Sequence, residues 1–198
     1  MKISVIGAGS WGTTLAVLLG EKGFDVKLWA RREELANEIE SKKENVQYLP
    51  GIKIPDAVIA EHSLKDALDN SEMIITAIPS EFLRNAIKEI KPHFKNQIIV
   101  SVTKGLERHS CRRMSQVIEE ELGKVKIAVL SGPNHAEEVS NKMPTASVVA
   151  SKDKKTGKIV AETLATPYFK LYQLNDAVGV EICGALKNIS AIATGVVD

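Results

Sequence analysis

The run Gly7-Ala8-Gly9-Ser10-Trp11-Gly12 directly follows the apolar segment Ile3 to Ile6 and opens an amphipathic stretch, a placement that constrains the fold more than any other feature of the chain. A strand that turns through glycine into a helix leaves the helix's first N–H groups unpaired and adds the positive end of its dipole. Such a turn suits an anion. The three glycines serve different ends. Gly7 permits the tight turn, Gly9 lets the backbone approach a pyrophosphate, and Gly12 lets helix and strand pack closely. The pattern predicts a βα unit that holds a dinucleotide by its two linked phosphates.

The remainder of the chain continues the theme. Short apolar runs alternate with amphipathic stretches, which predicts strands at Ile3 to Ile6, Asp25 to Trp29, Val58 to Ala60, Met73 to Ile78, Gln97 to Val102 and Lys126 to Leu130. Helices are predicted between them at Trp11 to Glu21, Glu33 to Lys43, Leu64 to Leu68, Glu81 to Ile90 and Cys111 to Leu122. The expected fold class is α/β, a Rossmann-type, doubly wound and mainly parallel sheet. Past Leu130, two further strands, Thr145 to Ala150 and Phe169 to Leu174, flank a helix at Lys158 to Leu164 and extend the sheet in either direction; Lys152 to Lys155 read as a solvated loop. From Asp176 onward Val178, Ile182, Leu186, Ile189, Ala193 and Val196 recur at helical spacing up to the last residue, with no capping glycine after them. This predicts a nucleotide domain at 1–175 and, at 176–198, the first helix of a second, helical domain whose remainder is absent.

Composition acts by exclusion. With 26 Lys and Arg against 25 Asp and Glu, and 5% aromatic residues, nothing favours nucleic acid or an anionic membrane as a bulk partner. Cys111 and Cys183 lack the close pairing of a zinc site or redox dithiol, so no metal is expected and both read as free thiols. The N-terminus shows neither a cationic leader nor an apolar stretch of bilayer length, which predicts a cytoplasmic protein without membrane insertion.

Where folds of this type that favour NAD place an acid for the ribose 2′-hydroxyl, the second strand ends Leu28-Trp29-Ala30-Arg31-Arg32. Two guanidiniums there would attract a 2′-phosphate, so NADP(H) should be accepted and preferred over NAD(H). The same pair could instead be surface arginines neutralised by Glu33 and Glu34.

Three more segments fall at strand ends, where ligands gather in such sheets: Ile78-Pro79-Ser80, Thr103-Lys104-Gly105-Leu106-Glu107 and Ser131-Gly132-Pro133-Asn134-His135-Ala136-Glu137. Singly they read as turns. Together with the glycine turn, with Asn45 to Pro50 and with Glu181-Ile182-Cys183-Gly184-Ala185-Leu186-Lys187-Asn188, they resemble the NAD(P)-dependent glycerol-3-phosphate dehydrogenases of bacteria, from Lys2 to the end of the chain. The resemblance implies interconversion of dihydroxyacetone phosphate and sn-glycerol 3-phosphate with NADP(H) or NAD(H), supplying glycerol 3-phosphate for phospholipid synthesis. It implies cofactor contacts at Ser10, Trp11, Arg31, Arg32, Lys104 and Ala136, and substrate contacts at Lys104, Gly132, Asn134 and Lys187, with Lys187 as catalytic proton acceptor. Asn134 departs from the family's frequent Ser or Thr, which favours a backbone over a side-chain contact. A second domain closes over the substrate in that family, so the 198-residue chain should bind cofactor and turn over little.

The chemistry supplies a reason for the lysine. As hydride moves to or from C2, its oxygen must gain or lose a proton, which an ammonium can give and an amine can take back. A second cation favours the neutral amine, and Lys104 is expected to supply it. On helical geometry alone, Lys187 lies away from the stripe of Ile182, Leu186 and Ile189 and reads as a solvated lysine. His135 titrates in a useful range, but its neighbours Asn134 and Glu137 suit the start of a short helix, while His62, His93 and His109 read as surface residues. Two alternatives stay open: a β-hydroxyacid dehydrogenase of similar build, and a module that senses NADP(H) without chemistry. A homodimer is compatible with the sequence, which does not specify the oligomeric state.

Overall fold

The computed structural model describes residues 1–197; Asp198, the last residue of the predicted 176–198 segment, lies outside the described residues. In chain order the elements are β1 (Lys2–Ile6), α1 (Ser10–Glu21), β2 (Asp25–Trp29), α2 (Glu33–Lys42), β3 (Glu44–Asn45), β4 (Leu49–Lys53), β5 (Val58–Glu61), α3 (Leu64–Leu68), β6 (Met73–Thr76), α4 (Ser80–Ile90), β7 (Ile98–Ser101), α5 (Met114–Leu122), β8 (Lys126–Ser131), α6 (Ala136–Ser140), β9 (Thr145–Ala150), α7 (Lys154–Leu164), β10 (Phe169–Leu174) and α8 (Ala177–Val197).

Eight strands form one sheet in the order β10-β9-β8-β7-β6-β1-β2-β5. The chain runs outward from β1 to β2 and β5, then crosses back to β6 on the other side of β1. That reversal opens a crevice at the carboxyl ends of β1 and β6, where ligands settle in sheets of this kind. Successive side chains alternate between faces, and both faces are covered. Ile3 and Val5 of β1, Met73 and Ile75 of β6 and Val100 of β7 join the core beneath α1, α2 and α7. Ile6, Ile74 and Ile99 join the opposite core, beneath α3, α4 and α5. Apolar residues on both sides of each central strand explain why these strands read as continuous hydrophobic runs. Each fully buried Ile or Leu contributes about 1.5–3 kcal/mol.

Within this eight-stranded sheet all pairings are parallel except β8 with β9, in register Val129↔Ala150 to Ser131↔Val148. The link from β8 to β9 carries only the five residues of α6. Such a helix spans about 7 Å, against about 20 Å for a six-residue strand, so the chain re-enters the sheet at the end it left and runs down it. The eleven residues of α7 then allow a full crossover, and β10 returns parallel to β9.

Several elements differ from expectation. The helix predicted from Cys111 starts at Met114, because His109 (φ 70°) and Cys111 (φ 54°) hold left-handed backbone that no α-helix contains, and the Gln116 side chain accepts from the N–H of the N-cap residue Arg113 at 3.1 Å. The helix predicted from Lys158 starts at Lys154, where the Asp153 carboxylate accepts from the N–H groups of Lys155 and Thr156. Half of the expected lysine-rich loop is therefore helix. The antiparallel pair β3–β4 is not among the predicted elements, and it carries Pro50 and Gly51 within β4. On α8, the periodic residues Val178, Ile182, Leu186, Ile189 and Val196 face outward and are exposed. No single helix is long and apolar enough to cross a membrane among the described residues.

Candidate functional site

At the crevice, the glycine turn is fixed by what surrounds it. Gly7 adopts φ +119°, and a Cβ there would lie 2.4 Å from the Ala77 carbonyl oxygen. One on Gly12 would lie 1.9 Å from the carbonyl oxygen of Gly7. These two glycines are demanded by the fold itself. Gly9 is different: nothing lies within 4 Å of its missing Cβ, and its φ of −76° and ψ of −179° suit any residue. As N-cap of the twelve-residue α1 it offers no side-chain cap, so the first-turn N–H groups face open space with the helix dipole behind them. The cradle therefore has the room and the donors that a pyrophosphate requires.

Beside the turn, the Gly7 N–H donates to the Trp29 carbonyl at 3.1 Å, which places the end of β2 next to the cradle. Arg31 and Arg32 follow, both exposed. Neither pairs with Glu33 or Glu34 among the described residues; Arg32 donates instead to the Gln47 side chain on the β3–β4 hairpin.

On the other side of the turn, Ser10, Trp11, Ala77, Ile78, Thr103, Lys104, Asn134 and Ala136 share a cleft of about 330 Å³. Trp11 packs edge-on against Phe169, its ring centre 6.3 Å away. The Thr103 hydroxyl lies 3.2 Å from the Thr76 carbonyl and 2.8 Å from that of Ile78, joining the ends of β6 and β7. The Lys104 ammonium donates to the Gly132 carbonyl at 2.9 Å. Gly132 also borders the adjoining cavity of about 540 Å³, together with Ser131, Pro133, Gly184 and Lys187. The predicted residues thus gather in three groups: Ser10, Trp11, Lys104 and Ala136 in one cleft; Gly132 and Lys187 in the next, joined to it through Lys104; and Arg31 with Arg32 apart, across the glycine turn. Desolvation of the Lys104 ammonium, and then the charge of Lys187, holds Lys104 below the ordinary lysine range. The charge of Lys187 therefore acts on Lys104.

Asn134 sits in the first cleft with its amide fully engaged. Nδ2 donates to Thr145 Oγ1 at 2.6 Å and to the Ala146 carbonyl at 2.9 Å, and Oδ1 accepts from Ser147 Oγ. That leaves backbone contacts for any ligand. His135 is exposed at the start of α6 and makes no side-chain cap there.

Sequence reasoning gave no role to the group that sets α8. Glu181, 5% exposed, accepts from the Ser115 N–H at 2.8 Å, from Ser115 Oγ at 2.6 Å and from Arg113 Nη1. Gly184, one turn on, lets α8 approach β8: a Cβ there would sit 2.6 Å from Ser131 Oγ. With these two contacts on the inner side, Lys187 comes to the strand ends while Ile182, Leu186 and Ile189 point away. The available signal was the one acid of a largely apolar helix, off its hydrophobic stripe, which calls for a buried partner.

Chemically, the crevice joins an anion cradle to two ammonium groups near enough for the charge of Lys187 to act on Lys104, an arrangement fit to hold an anionic substrate and to move a proton. Residues 2–157 match the family profile described as NAD-dependent glycerol-3-phosphate dehydrogenase N-terminus. The chain is 48% identical over 202 aligned positions to a glycerol-3-phosphate dehydrogenase (NAD(P)+) of Chlorobium phaeobacteroides, covering 100% of this chain and 60% of the relative. It is 46% identical to the enzyme of the same description from Moorella thermoacetica, over 99% of this chain and 58% of that one. The crystal structure of glycerol-3-phosphate dehydrogenase from Coxiella burnetii superposes with a TM-score of 0.93 at 39% identity, covering 98% of this chain and 60% of that one. The chain therefore spans about 60% of the length of these relatives.

Proposed function

Because the chain belongs to the NAD-dependent glycerol-3-phosphate dehydrogenase family, we propose that it is the nucleotide-binding part of an enzyme that reduces dihydroxyacetone phosphate to sn-glycerol 3-phosphate and runs the reverse reaction. The observation that carries this reading is the meeting of Lys104, Gly132 and Lys187 at the strand ends, one cleft away from an open glycine cradle. The α1 N-terminus, with Gly9 bare, receives the pyrophosphate of NADP(H) or NAD(H), and Arg31 and Arg32 take the 2′-phosphate where there is one. Ser10, Trp11 and Ala136 line the path to the reacting carbon. Hydride for C2 comes from the dihydronicotinamide. Lys187 gives the proton that the C2 oxygen needs in reduction and takes it back in oxidation, while Lys104 and the backbone of Gly132 and Asn134 hold the substrate beside it.

In this reading residues 1–175 form the nucleotide domain and 176–198 begin the substrate domain, and the product feeds phospholipid synthesis in the cytoplasm. The 198-residue chain binds NADPH and turns over dihydroxyacetone phosphate poorly. The test is Lys187→Ala in an enzyme that also carries the second domain: turnover should fall by orders of magnitude with NADPH affinity unchanged, and near-normal turnover would refute the assignment.

A further inference from the structure

The hairpin of β3 and β4 reaches beneath the glycine turn, and its contact there is polar and closed to solvent. Asn45 is 1% exposed. Its Nδ2 donates to the Ala8 carbonyl at 2.9 Å and to Thr13 Oγ1 at 2.8 Å, while its Oδ1 accepts from the Tyr48 N–H at 3.3 Å. The Tyr48 contact fixes which end of the amide is which, so both donor hydrogens must point at the turn and at the first turn of α1. Thr13, itself fully buried, also donates its N–H to the Gly9 carbonyl at 2.9 Å. One side chain thus grips the glycine turn on the two sides of Gly9.

A trans peptide is planar, with its carbonyl and N–H pointing opposite ways. The Ala8–Gly9 peptide is trans, like every other described peptide. Drawing the Ala8 carbonyl inward onto Asn45 therefore turns the Gly9 N–H outward, toward the open space above the cradle. We infer that Asn45 is a positioning residue for cofactor binding: from beneath the turn, it aims the Gly9 N–H at the pyrophosphate. This rests on the cofactor reading above. A merely space-filling residue at this depth would be apolar, since a buried amide is costly unless its hydrogen bonds are made. Two of the three bonds that Asn45 makes go to the cradle.

Asn45→Asp keeps the shape and the acceptor for Tyr48 but puts an oxygen where the donor was, and Asn45→Ala removes the grip without adding charge. NADPH is titrated into the 198-residue chain and both variants by nucleotide fluorescence, with circular dichroism melts alongside and amide NMR of Gly9. In the wild type the Gly9 amide signal should move on NADPH addition; NADPH binding without that movement overturns the inference, whatever the variants do. In the folded variants NADPH should bind about ten- to a hundredfold more weakly, as expected for a misaligned hydrogen bond to a charged group, and the Gly9 response should be lost. Affinity within about twofold of wild type, or an unchanged Gly9 response in a variant, overturns it. Wild-type protein that binds neither NADPH nor NADH would instead sink the cofactor reading itself.

Discussion

Gly9 and Gly12 lie three residues apart, yet alanine at the two positions should fail in opposite ways. At Gly12 a Cβ would meet the Gly7 carbonyl oxygen at 1.9 Å, the Gly7 carbonyl carbon at 3.1 Å and Ala77 Cβ at 3.2 Å. Non-bonded heavy atoms settle about 3.5–4 Å apart, so the turn must open by well over an ångström. Overpacking of this kind costs about 3 kcal/mol, and the helix-propensity gain of alanine over glycine returns about 1 kcal/mol of it. The net loss of about 2 kcal/mol lowers Tm by about 4–8 °C in a chain of this size. At Gly9 the backbone already suits alanine and the space is empty, so the gain from a stiffer unfolded chain and the loss of a preferred N-cap nearly cancel, leaving Tm within about 2 °C. In the proposed mode of binding the new methyl stands where the pyrophosphate would lie, and NADPH affinity should fall at least about tenfold, the worth of one charge-assisted hydrogen bond. Thermal melts and NADPH fluorescence titrations of both variants decide the matter. Gly9→Ala binding NADPH like wild type, or Gly12→Ala melting like wild type, would refute the division of labour.

Other outcomes follow from the same geometry. Arg31→Ala should weaken NADPH by about tenfold and leave NADH unchanged, measured in parallel titrations; equal losses for both nucleotides would remove the 2′-phosphate from Arg31. Arg84, hydrogen-bonded to Glu107, holds the Glu107 carboxyl down at about 2, with Ser110 assisting. A depressed folded value contributes stability above the unfolded value near 4.5 and loses it as pH falls toward 2, so the gap in unfolding free energy between wild type and Arg84→Met should narrow across that window. A gap that stays constant with pH would count against the pairing. Glu181→Ala breaks a buried pair with Arg113 and should cost about 3 kcal/mol in urea unfolding, with faster amide exchange at the start of α8; a change below about 0.5 kcal/mol would mean that the pair does not anchor the helix.

The sequence disclosed what local patterns control. Strands covered on both faces must be apolar throughout, so β1, β6 and β7 were visible as runs of Ile and Val, and the glycine turn was visible because Gly7 takes a positive φ there and Gly12 meets the Gly7 carbonyl within the same turn. The antiparallel turn of β9 was not, because it follows from the shortness of α6 rather than from any periodicity. Asn45 and Glu181 lay in recognised segments, but their roles were hidden, since each acts on a partner far away in the chain, Asn45 on Ala8 and Thr13, Glu181 on Arg113 and Ser115. The start of α5 was misplaced for a related reason, since left-handed backbone at His109 and Cys111 belongs to the loop that ends where Gln116 accepts from the Arg113 N–H. The inward direction of Lys187 could not be read from the helix either. The apolar stripe of α8 would ordinarily mark the buried side, and here it marks the exposed one.

That inverted helix has a practical consequence. Since Ile189 and Val196 are mostly exposed and lie outside both hydrophobic cores, they can be exchanged for polar residues without disturbing the cradle or the lysines. Preparations of the 198-residue chain should therefore become less adhesive through such exchanges, while retaining their nucleotide affinity.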